Sequence, residues 1–235
     1  MEAMTFELLS GGAGRDEQVV HDLIGRLAGE LGFRYHAYGI VTRLPLARRI
    51  ISIKDGCPAG WIKHYLARKY YQIDPVLRKG LAGESCMVWS DALFSGAASL
   101  WRDARLAGLR YGMSLAVWDR TGALGLYSLA RDAGPISAHE QQRVNLHASR
   151  FMAAGHPLLV SMLRRRLAGL IDATLTPRER EVVIWSADGK TAGEIAGILA
   201  ISERTVNFHL GNVIRKLKAS NKTQAIVWAV TSGMV

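Results

Sequence analysis

The sequence predicts an α+β protein, in which an N-terminal α/β/α sandwich with an antiparallel sheet precedes a C-terminal all-α domain with helix-turn-helix geometry. Three observations predict this fold class. The chain has 235 residues, enough for two domains of ordinary size. Strand-like and helix-like patterns intermix over the first 166 residues. Four helix-start signals then follow within about forty-five residues near the C-terminus.

The N-terminal part contains helical and strand patterns in an irregular order. We expect helices at about 16–31, 59–70 and 100–108, strands at about 35–42 and 49–53, and a hairpin of 113–118 with 123–131. A long helical stretch over 137–166 follows, which Gly155 and Pro157 should kink or split. Hairpins in place of regular βαβ units indicate an antiparallel sheet flanked by helices.

The C-terminal part is expected to form four helices, at about 177–188, 192–199, 203–217 and 222–232. Thr176 with Glu179 and Thr191 with Glu194 are capping boxes, and Pro177 occupies the first helical position. Ser202 opens the third helix, and Asn221, with Gln224 three residues later, opens the fourth. The predicted domains are therefore 1–166 and 175–235, joined by a linker of 167–174.

The third of these helices has two distinct faces. Its apolar positions follow the spacing of a buried stripe and are Val206, Leu210, Val213, Ile214 and Leu217. The opposite side carries Arg204, Asn207, Phe208, Gly211 and Arg215. Arginine and asparagine have the geometry to read base edges in a DNA major groove, although a solvated face is a reasonable alternative for a helix taken alone. The short helix before it, joined by Ala200-Ile201-Ser202, completes a helix-turn-helix and favours DNA binding.

Composition excludes several classes of protein. With 49% hydrophobic and 21% charged residues, the chain is neither wholly disordered nor fibrous. Its apolar runs fall far short of the ~18–20 residues that a membrane span needs. The N-terminus lacks the pattern of a secretory signal, so a cytoplasmic protein is expected. The net charge of +10 favours a polyanionic partner without identifying it.

Neither a metal site, nor a cofactor, nor a catalytic site is expected. Cys57 and Cys86 are isolated and are interpreted as buried, reduced thiols. Motifs of serine hydrolases, zinc proteases and P-loop enzymes are missing, and Gly112-Met113-Ser114-Leu115-Ala116 only partly imitates a nucleophile elbow.

The C-terminal segment carries a family resemblance. Residues 175–230, LTPREREVVIWSADGKTAGEIAGILAISERTVNFHLGNVIRKLKASNKTQAIVWAV, closely resemble the DNA-binding domain of LuxR-type transcription regulators. Phosphorylated response regulators share this domain. A receiver domain is not expected upstream, however, because Asp55 lacks the acidic companion that a phosphorylation site needs.

The N-terminal part resembles the ligand domain of acyl-homoserine-lactone receptors in the same family, on the evidence of CPAGWIKHYLARKYYQIDP at 57–75 and MVWSD at 87–91. The resemblance implies a quorum-sensing regulator that binds an N-acyl-homoserine lactone. It places ligand contacts at Trp61, Tyr65, Asp74, Trp89 and Ser128, with Ser114 as a further candidate. Trp61 would donate to the lactone carbonyl and Asp74 would accept the amide N–H. Tyr65 and Ser128 would hold the acyl carbonyl, and Trp89 would pack beside the lactone ring.

Two simpler interpretations remain open for these positions. Each aromatic residue taken singly is more often part of a core, and Asp74-Pro75 has the form of a helix start.

Strand alternation adds Val41, Ile53 and Leu126 as candidates for the acyl-tail pocket. Many family members carry an aromatic residue where this chain has Cys57, so Cys57 is expected to change the volume available to the acyl chain.

The resemblance also implies partners. A homodimer is expected to form through the long helix of 137–166, with a smaller contribution from 222–232, and to bind an inverted-repeat operator of double-stranded DNA. The predicted base readers are Glu203, Arg204 and Asn207, and the predicted phosphate contacts are Thr191, Ser202, Thr205, Asn212 and Lys216. RNA polymerase is the expected further partner. The alternative is an orphan regulator that binds DNA without ligand and uses its N-terminal domain mainly to dimerise.

Overall fold

A computed structural model of the chain describes residues 5–8, 15–42, 48–170, 174–231 and 233–235, with side chains over 18–42, 52–165, 174–230 and 233–235. The chain divides into two compact units, Met1–Val160 and Ser161–Val235. Each unit is described below by itself.

The N-terminal unit contains one six-stranded sheet. Its strands are β1 (Thr5–Leu8), β2 (Tyr35–Val41), β3 (Arg48–Asp55), β4 (Cys86–Val88), β5 (Tyr111–Trp118) and β6 (Leu124–Arg131), in the order β1-β3-β2-β6-β5-β4. All neighbouring pairs are antiparallel except β1 with β3, which are parallel. The predicted antiparallel sheet is confirmed, and the short edge strands β1 and β4 are additions that the sequence patterns did not indicate.

Helices cover both faces of this sheet, as predicted for an α/β/α sandwich. They are α1 (Arg15–Glu30), α2 (Trp61–Ala67), α3 (Pro75–Leu81), α4 (Ala98–Leu106) and α5 (Ala138–Leu170), with a 3-10 turn at Tyr70–Gln72. On one face the Tyr127 hydroxyl donates to the Ile24 carbonyl of α1 at 2.8 Å. On the other face α3 lies so close to the sheet that a β-carbon at Gly80 would be 3.4 Å from Leu126. Tyr127 and Leu126 are adjacent in β6, so strand alternation separates the two layers.

The segment predicted as one helix at 59–70 is shorter and ends at Ala67. Lys69 adopts a left-handed conformation with φ of 54°, which stops the helix before the 3-10 turn. The helix start at Asp74-Pro75 is confirmed, because the Asp74 side chain accepts the backbone N–H of Val76 at 2.8 Å and Pro75 is the first residue of α3.

The β5–β6 hairpin sets the register of the central sheet. The Asp119 carboxylate accepts the backbone N–H groups of Thr121 at 2.8 Å and Ala123 at 2.9 Å, and Gly122 takes φ of 73°. With the turn fixed in this way, Ser114 of β5 stands directly opposite Ser128 of β6. This register brings two hydroxyl groups together on one face of the sheet.

Helix α5 is continuous from Ala138 to Leu170, so Gly155 and Pro157 do not split it, and the predicted alternative, a kink, stays a prediction. A proline inside a helix removes one hydrogen bond and costs about 3 kcal/mol. Met152 before the proline and Val160 after it are both buried, and this packing on either side offsets that cost. The helix also covers 167–170, the first half of the predicted linker, whereas 171–173 lie outside the described residues.

The C-terminal unit has the four predicted helices, α6 (Pro177–Ala187), α7 (Ala192–Leu199), α8 (Glu203–Lys216) and α9 (Lys222–Thr231). Both capping boxes form: Thr176 with Glu179 begins α6, and Thr191 with Glu194 begins α7. Ser202 accepts the backbone N–H of Thr205 at the start of α8. The turn between α7 and α8 passes through Ala200 with φ of 52°, which reverses the chain and completes the helix-turn-helix.

Candidate ligand cavity and nucleic-acid interface

A cavity lies between the sheet and the layer formed by α2, α3 and α4. Its volume is about 800 Å³, which includes the solvent-filled space at its mouth. On the sheet side the cavity is lined by Ala37, Gly39, Ile53, Leu126, Ser128 and Ala130. The helices and the segments that connect them contribute Trp61, Ile62, Tyr65, Asp74, Val76, Trp89, Phe94, Leu100, Ala104 and Leu109. The lining is completed by Tyr35, His36 and Cys57. Cavities with a mostly apolar lining and a few polar groups bind small organic molecules.

Asp74 and Tyr65 form a half-buried hydrogen-bonded pair on the cavity wall. The Tyr65 hydroxyl donates to Asp74 Oδ2 at 2.8 Å, while Asp74 Oδ1 accepts the Val76 N–H. Asp74 is therefore both the cap of α3 and a cavity residue, so the helix-start and ligand-contact interpretations are compatible. Tyr65 has one hydroxyl proton and directs it at Asp74 in this structure, and its contact with an acyl carbonyl stays a prediction.

The surroundings of this pair raise the pKa values of both groups. Burial raises the pKa of the Asp74 carboxyl, although hydrogen bonds from Tyr65 and from the backbone of Val76 and Leu77 oppose the shift. Burial, followed by the charge of Asp74, raises the pKa of Tyr65 well above its ordinary value. A neutral phenol is therefore held against the Asp74 carboxyl group, which accepts three hydrogen bonds of the about four that its two oxygens can accept.

Trp89, Ser114 and Ser128 form a second polar group. Trp89 Nε1 donates to Ser114 Oγ at 2.9 Å, and Ser114 Oγ lies 2.8 Å from Ser128 Oγ. Ser128 lines the cavity, whereas Ser114 is fully buried behind the wall. Ser114 therefore does not line the cavity and is connected to it through its hydrogen bond with Ser128.

Eight of the ten predicted ligand contacts line this cavity: Ile53, Cys57, Trp61, Tyr65, Asp74, Trp89, Leu126 and Ser128. Ser114 and Val41 do not line it. Val41 is on the expected face of β2, but it is buried against Leu77 of α3 and Leu124 of β6. The contribution of α4 was not predicted, although Leu100 and Ala104, four residues apart, carry the signal of a buried helical stripe.

Cys57 borders the cavity as a neutral thiol. Its Sγ donates to the His36 carbonyl at 3.5 Å, and burial, with a contribution from Asp55, raises its thiol pKa to about 12. Within the described residues, no three His, Cys, Asp or Glu side chains are grouped closely enough to hold a metal ion. Cys57 therefore acts in this wall as a small, weakly polar side chain.

The face of α8 predicted to meet DNA is exposed to solvent. The residues on it are Arg204, Asn207, Phe208, Gly211 and Arg215, and all five are exposed. Val206, Leu210, Val213 and Leu217 on the opposite side are buried among the other helices of this unit. The buried stripe anchors α8 and leaves its polar face free for a partner.

The predicted phosphate contacts occupy different environments. Thr191 and Ser202 are helix caps, so their hydroxyls hold the first turns of α7 and α8. Thr205 Oγ1 lies 2.8 Å from Ser202 Oγ, and Asn212 Oδ1 accepts a hydrogen bond from Arg215 at 2.8 Å. Glu203, predicted as a base reader, is exposed in the first turn of α8.

Lys216 makes two polar contacts within the unit. Its ammonium lies 2.6 Å from Glu179 Oε2 and donates to the Thr174 carbonyl at 3.1 Å. The Glu179 side chain is only 4% exposed. Burial opposes the ionisation of this carboxyl, but hydrogen bonds from Lys216 and from the backbone of Thr176 outweigh it and lower its pKa. The structure therefore places Lys216 in a tertiary ion pair between α6 and α8.

Within the described part of the chain, the helices are too short or too polar to cross a bilayer.

Comparison with known families matches both units. Residues 16–155 match the family model described as "Autoinducer binding domain", and residues 173–229 match "Bacterial regulatory proteins, luxR family". The first match contains the cavity and the second contains the helix-turn-helix.

Characterised relatives are similar over nearly the whole chain. The transcriptional activator protein SolR of Ralstonia solanacearum is 42% identical over 220 residues, covering 94% of this chain and 93% of SolR. The quorum-sensing regulator RhlR of Pseudomonas aeruginosa is 35% identical over 228 residues, covering 94% and 91%. The crystal structure of Escherichia coli SdiA superposes with a TM-score of 0.73 at 32% identity, covering 94% and 92%. A structure of SdiA in complex with octanoyl-rac-glycerol gives a TM-score of 0.70 at 32% identity, covering 92% and 88%.

With an autoinducer-binding domain around the cavity, a LuxR-type helix-turn-helix after it, and full-length similarity to quorum-sensing regulators, this chain belongs to the LuxR family of quorum-sensing transcription regulators.

Proposed function

We propose that this regulator binds an N-acyl-homoserine lactone in the cavity of its N-terminal unit and, as a homodimer, an inverted-repeat operator through its C-terminal unit. The proposed boundaries remain 1–166 for ligand binding and dimerisation, 167–174 for the linker and 175–235 for DNA binding. No catalytic role and no cofactor are proposed.

The observation that carries the ligand proposal is a small set of polar groups in an otherwise apolar cavity. The Trp61 indole N–H has no hydrogen-bond partner among the described residues, the Asp74 carboxyl can accept about one further hydrogen bond, and the Ser128 hydroxyl lies on the wall. An acyl-homoserine lactone offers two carbonyl acceptors and one amide donor. Such a ligand satisfies groups that would otherwise lose hydrogen bonds to water on burial.

The test is thermal unfolding of the full chain with a panel of N-acyl-homoserine lactones of different chain lengths. A ligand present at a hundredfold excess over its Kd stabilises the folded state by about 2.7 kcal/mol. For a unit of this size that corresponds to a rise in Tm of about 5–11 °C. Equal Tm values and equal soluble yields across the whole panel would support the alternative, a ligand-independent regulator. Recovery of intact ligand after incubation would distinguish a receptor from a lactone hydrolase.

Asp74→Asn probes the proposed amide contact. Asparagine still caps α3, so we expect a folded protein whose Tm shift with ligand is much reduced. Asp132→Asn is the matched control, because Asp132 forms an exposed ion pair with Arg34 and does not line the cavity. A normal ligand response in Asp74→Asn would argue against this contact.

On the DNA side we propose that Glu203, Arg204 and Asn207 meet base edges. Their support is that all three are exposed on the first two turns of α8. Thr191, Ser202, Thr205 and Asn212 remain proposed phosphate contacts, whereas Lys216 is left out because of its ion pair with Glu179.

Operator selection from a random DNA library would test this proposal. We expect an inverted repeat with half-sites about one helical turn apart, and a changed base preference for Asn207→Ala with unchanged ligand stabilisation. If Asn207→Ala loses ligand response and keeps operator preference, the division of roles between the units is wrong.

Analytical ultracentrifugation tests the dimer, for which α5 and α9 are the proposed contact elements. Transcription in vitro tests the proposed contact with RNA polymerase, and the DNA-binding role supports a cytoplasmic location.

A further inference from the structure

Trp89 is fixed in one orientation by its neighbours. Its ring lies flat on Gly112, where an added β-carbon would be 2.5 Å from Trp89 Cε3 and 2.6 Å from Cδ2. Phe94 and Trp101 meet the ring edge to face at 6.0 and 6.4 Å. The indole N–H, which is only a donor, therefore points permanently at Ser114 Oγ.

This fixed donor determines the direction of the next hydrogen bond. Ser114 is fully buried, and its Oγ contacts two polar side-chain atoms, Trp89 Nε1 and Ser128 Oγ. Trp89 fills one acceptor position of Ser114, so the Ser114 proton has Ser128 Oγ as its acceptor. If Ser128 donated to Ser114 instead, the Ser114 proton would be buried without a partner, which is unfavourable.

We infer that the Trp89 indole, acting through Ser114, orients the Ser128 hydroxyl as a hydrogen-bond donor into the cavity, so that the ligand must present an oxygen acceptor there. Ser114 is thus a positioning residue, and it influences the ligand without touching it. The inference rests on the proposed function and deepens it, because it requires the acyl carbonyl oxygen of the lactone to face Ser128.

The partial nucleophile-elbow motif, Gly112-Met113-Ser114, has a structural explanation in this arrangement. Gly112 leaves room for the Trp89 ring because it has no β-carbon, and Ser114 accepts the hydrogen bond of the indole N–H. Neither residue needs to act as a nucleophile or support one.

Isotope-edited infrared spectroscopy of the full chain with N-[1-¹³C]octanoyl-homoserine lactone tests the inference, because the stretching frequency of the labelled carbonyl falls when it accepts a hydrogen bond. We expect the bound band to move to higher frequency in Ser128→Ala and to move in the same direction in Ser114→Ala. Loss of one neutral hydrogen bond should weaken ligand affinity about fivefold in Ser128→Ala. A role of Ser114 in packing alone would lower affinity and leave the frequency of the remaining bound ligand at its wild-type value.

Trp89→Phe provides a second variant that keeps Ser114 in place. Without the indole donor, Ser114 can accept from Ser128, so the carbonyl band should again rise toward that of Ser128→Ala. The inference is overturned if the band stays at its wild-type position in Ser128→Ala, or if it rises there but stays unchanged in both Ser114→Ala and Trp89→Phe. If the wild-type protein fails to bind this lactone and every other member of the panel, the proposed function itself fails, and that outcome is separate from either spectral result.

Discussion

Gly112→Ala is the most direct test of how the cavity wall is built. Ordinary carbon contacts begin at about 3.4 Å, whereas the new methyl group would lie 2.5 Å from Trp89 Cε3, an overlap of about 0.9 Å. The same methyl would be 2.8 Å from the Leu129 carbonyl, which belongs to the central sheet. Movement of Trp89 relieves the first overlap, whereas the second requires a small shift of the β-ladder.

The cost of this movement follows from what surrounds Trp89. Overpacking of a buried site costs about 1–3 kcal/mol. Displacing the indole from Ser114 adds about 1 kcal/mol for the broken hydrogen bond. A total of about 2–4 kcal/mol corresponds to a fall in Tm of about 4–16 °C for a unit of this size.

Thermal unfolding without ligand, followed by tryptophan fluorescence, measures this change. Gly39→Ala is the matched control, because Gly39 is also a strand glycine of the sheet and its added β-carbon would meet only the Leu126 carbonyl, at 3.9 Å. We expect the control to remain within about 0.5 kcal/mol of the wild type. Equal stability of Gly112→Ala and Gly39→Ala would refute the placement of Trp89 and, with it, the basis for orienting Ser128.

Three further predictions concern other parts of the molecule. Lys216→Met removes the cation that pairs with the buried Glu179, and we expect urea denaturation at pH 7 to show a loss of about 1–3 kcal/mol. Because folding lowers the pKa of Glu179 below 4.5, this loss should be complete above pH 4.5 and should shrink as the pH falls through the lowered pKa. Asp119→Ala removes the acceptor of two backbone N–H groups in the β5–β6 turn and should cost about 1–2 kcal/mol in thermal unfolding. Gly125→Ala would place a methyl group 2.6 Å from His156 Nδ1, and the crowding should cost about 1–3 kcal/mol by the same measurement.

The outcomes that contradict these expectations are specific. A Lys216→Met loss that persists unchanged until the carboxyl groups of the folded protein are fully protonated would exclude Glu179 as its origin, and the exposed Lys218→Met serves as the control for loss of charge. Wild-type stability of Asp119→Ala would mean that the hairpin turn holds without its side-chain acceptor. Tolerance of Gly125→Ala would show that His156 can withdraw from the sheet at little cost.

The sequence predicted the features that depend on neighbours in the chain. Thr176 with Glu179 and Thr191 with Glu194 cap their helices through contacts three residues apart, so their residue types alone indicated where α6 and α7 begin. The hairpin of β5 and β6 was predictable for the same reason. Strand β4 was not, because three residues carry too little pattern and the strand is defined only by its pairing with β5.

Features that depend on distant residues could not be predicted in this way. Lys216 and Glu179 are 37 positions apart, so nothing in the local pattern separated a structural lysine from a DNA contact. Val41 and Ser114 follow the same alternation as cavity residues, yet Val41 packs against Leu77, and the hydroxyl of Ser114 is taken up by Trp89 and Ser128. Alternation predicts the face of a strand, whereas the helix packed above that face decides which residues reach a cavity.

The double engagement of Asp74 restricts how this receptor could be redesigned. Any replacement must still satisfy the first N–H groups of α3, which favours short side chains carrying an oxygen at residue 74. A hydrophobic substitute would leave those N–H groups without their side-chain acceptor, at a cost of about 0.5–2 kcal/mol.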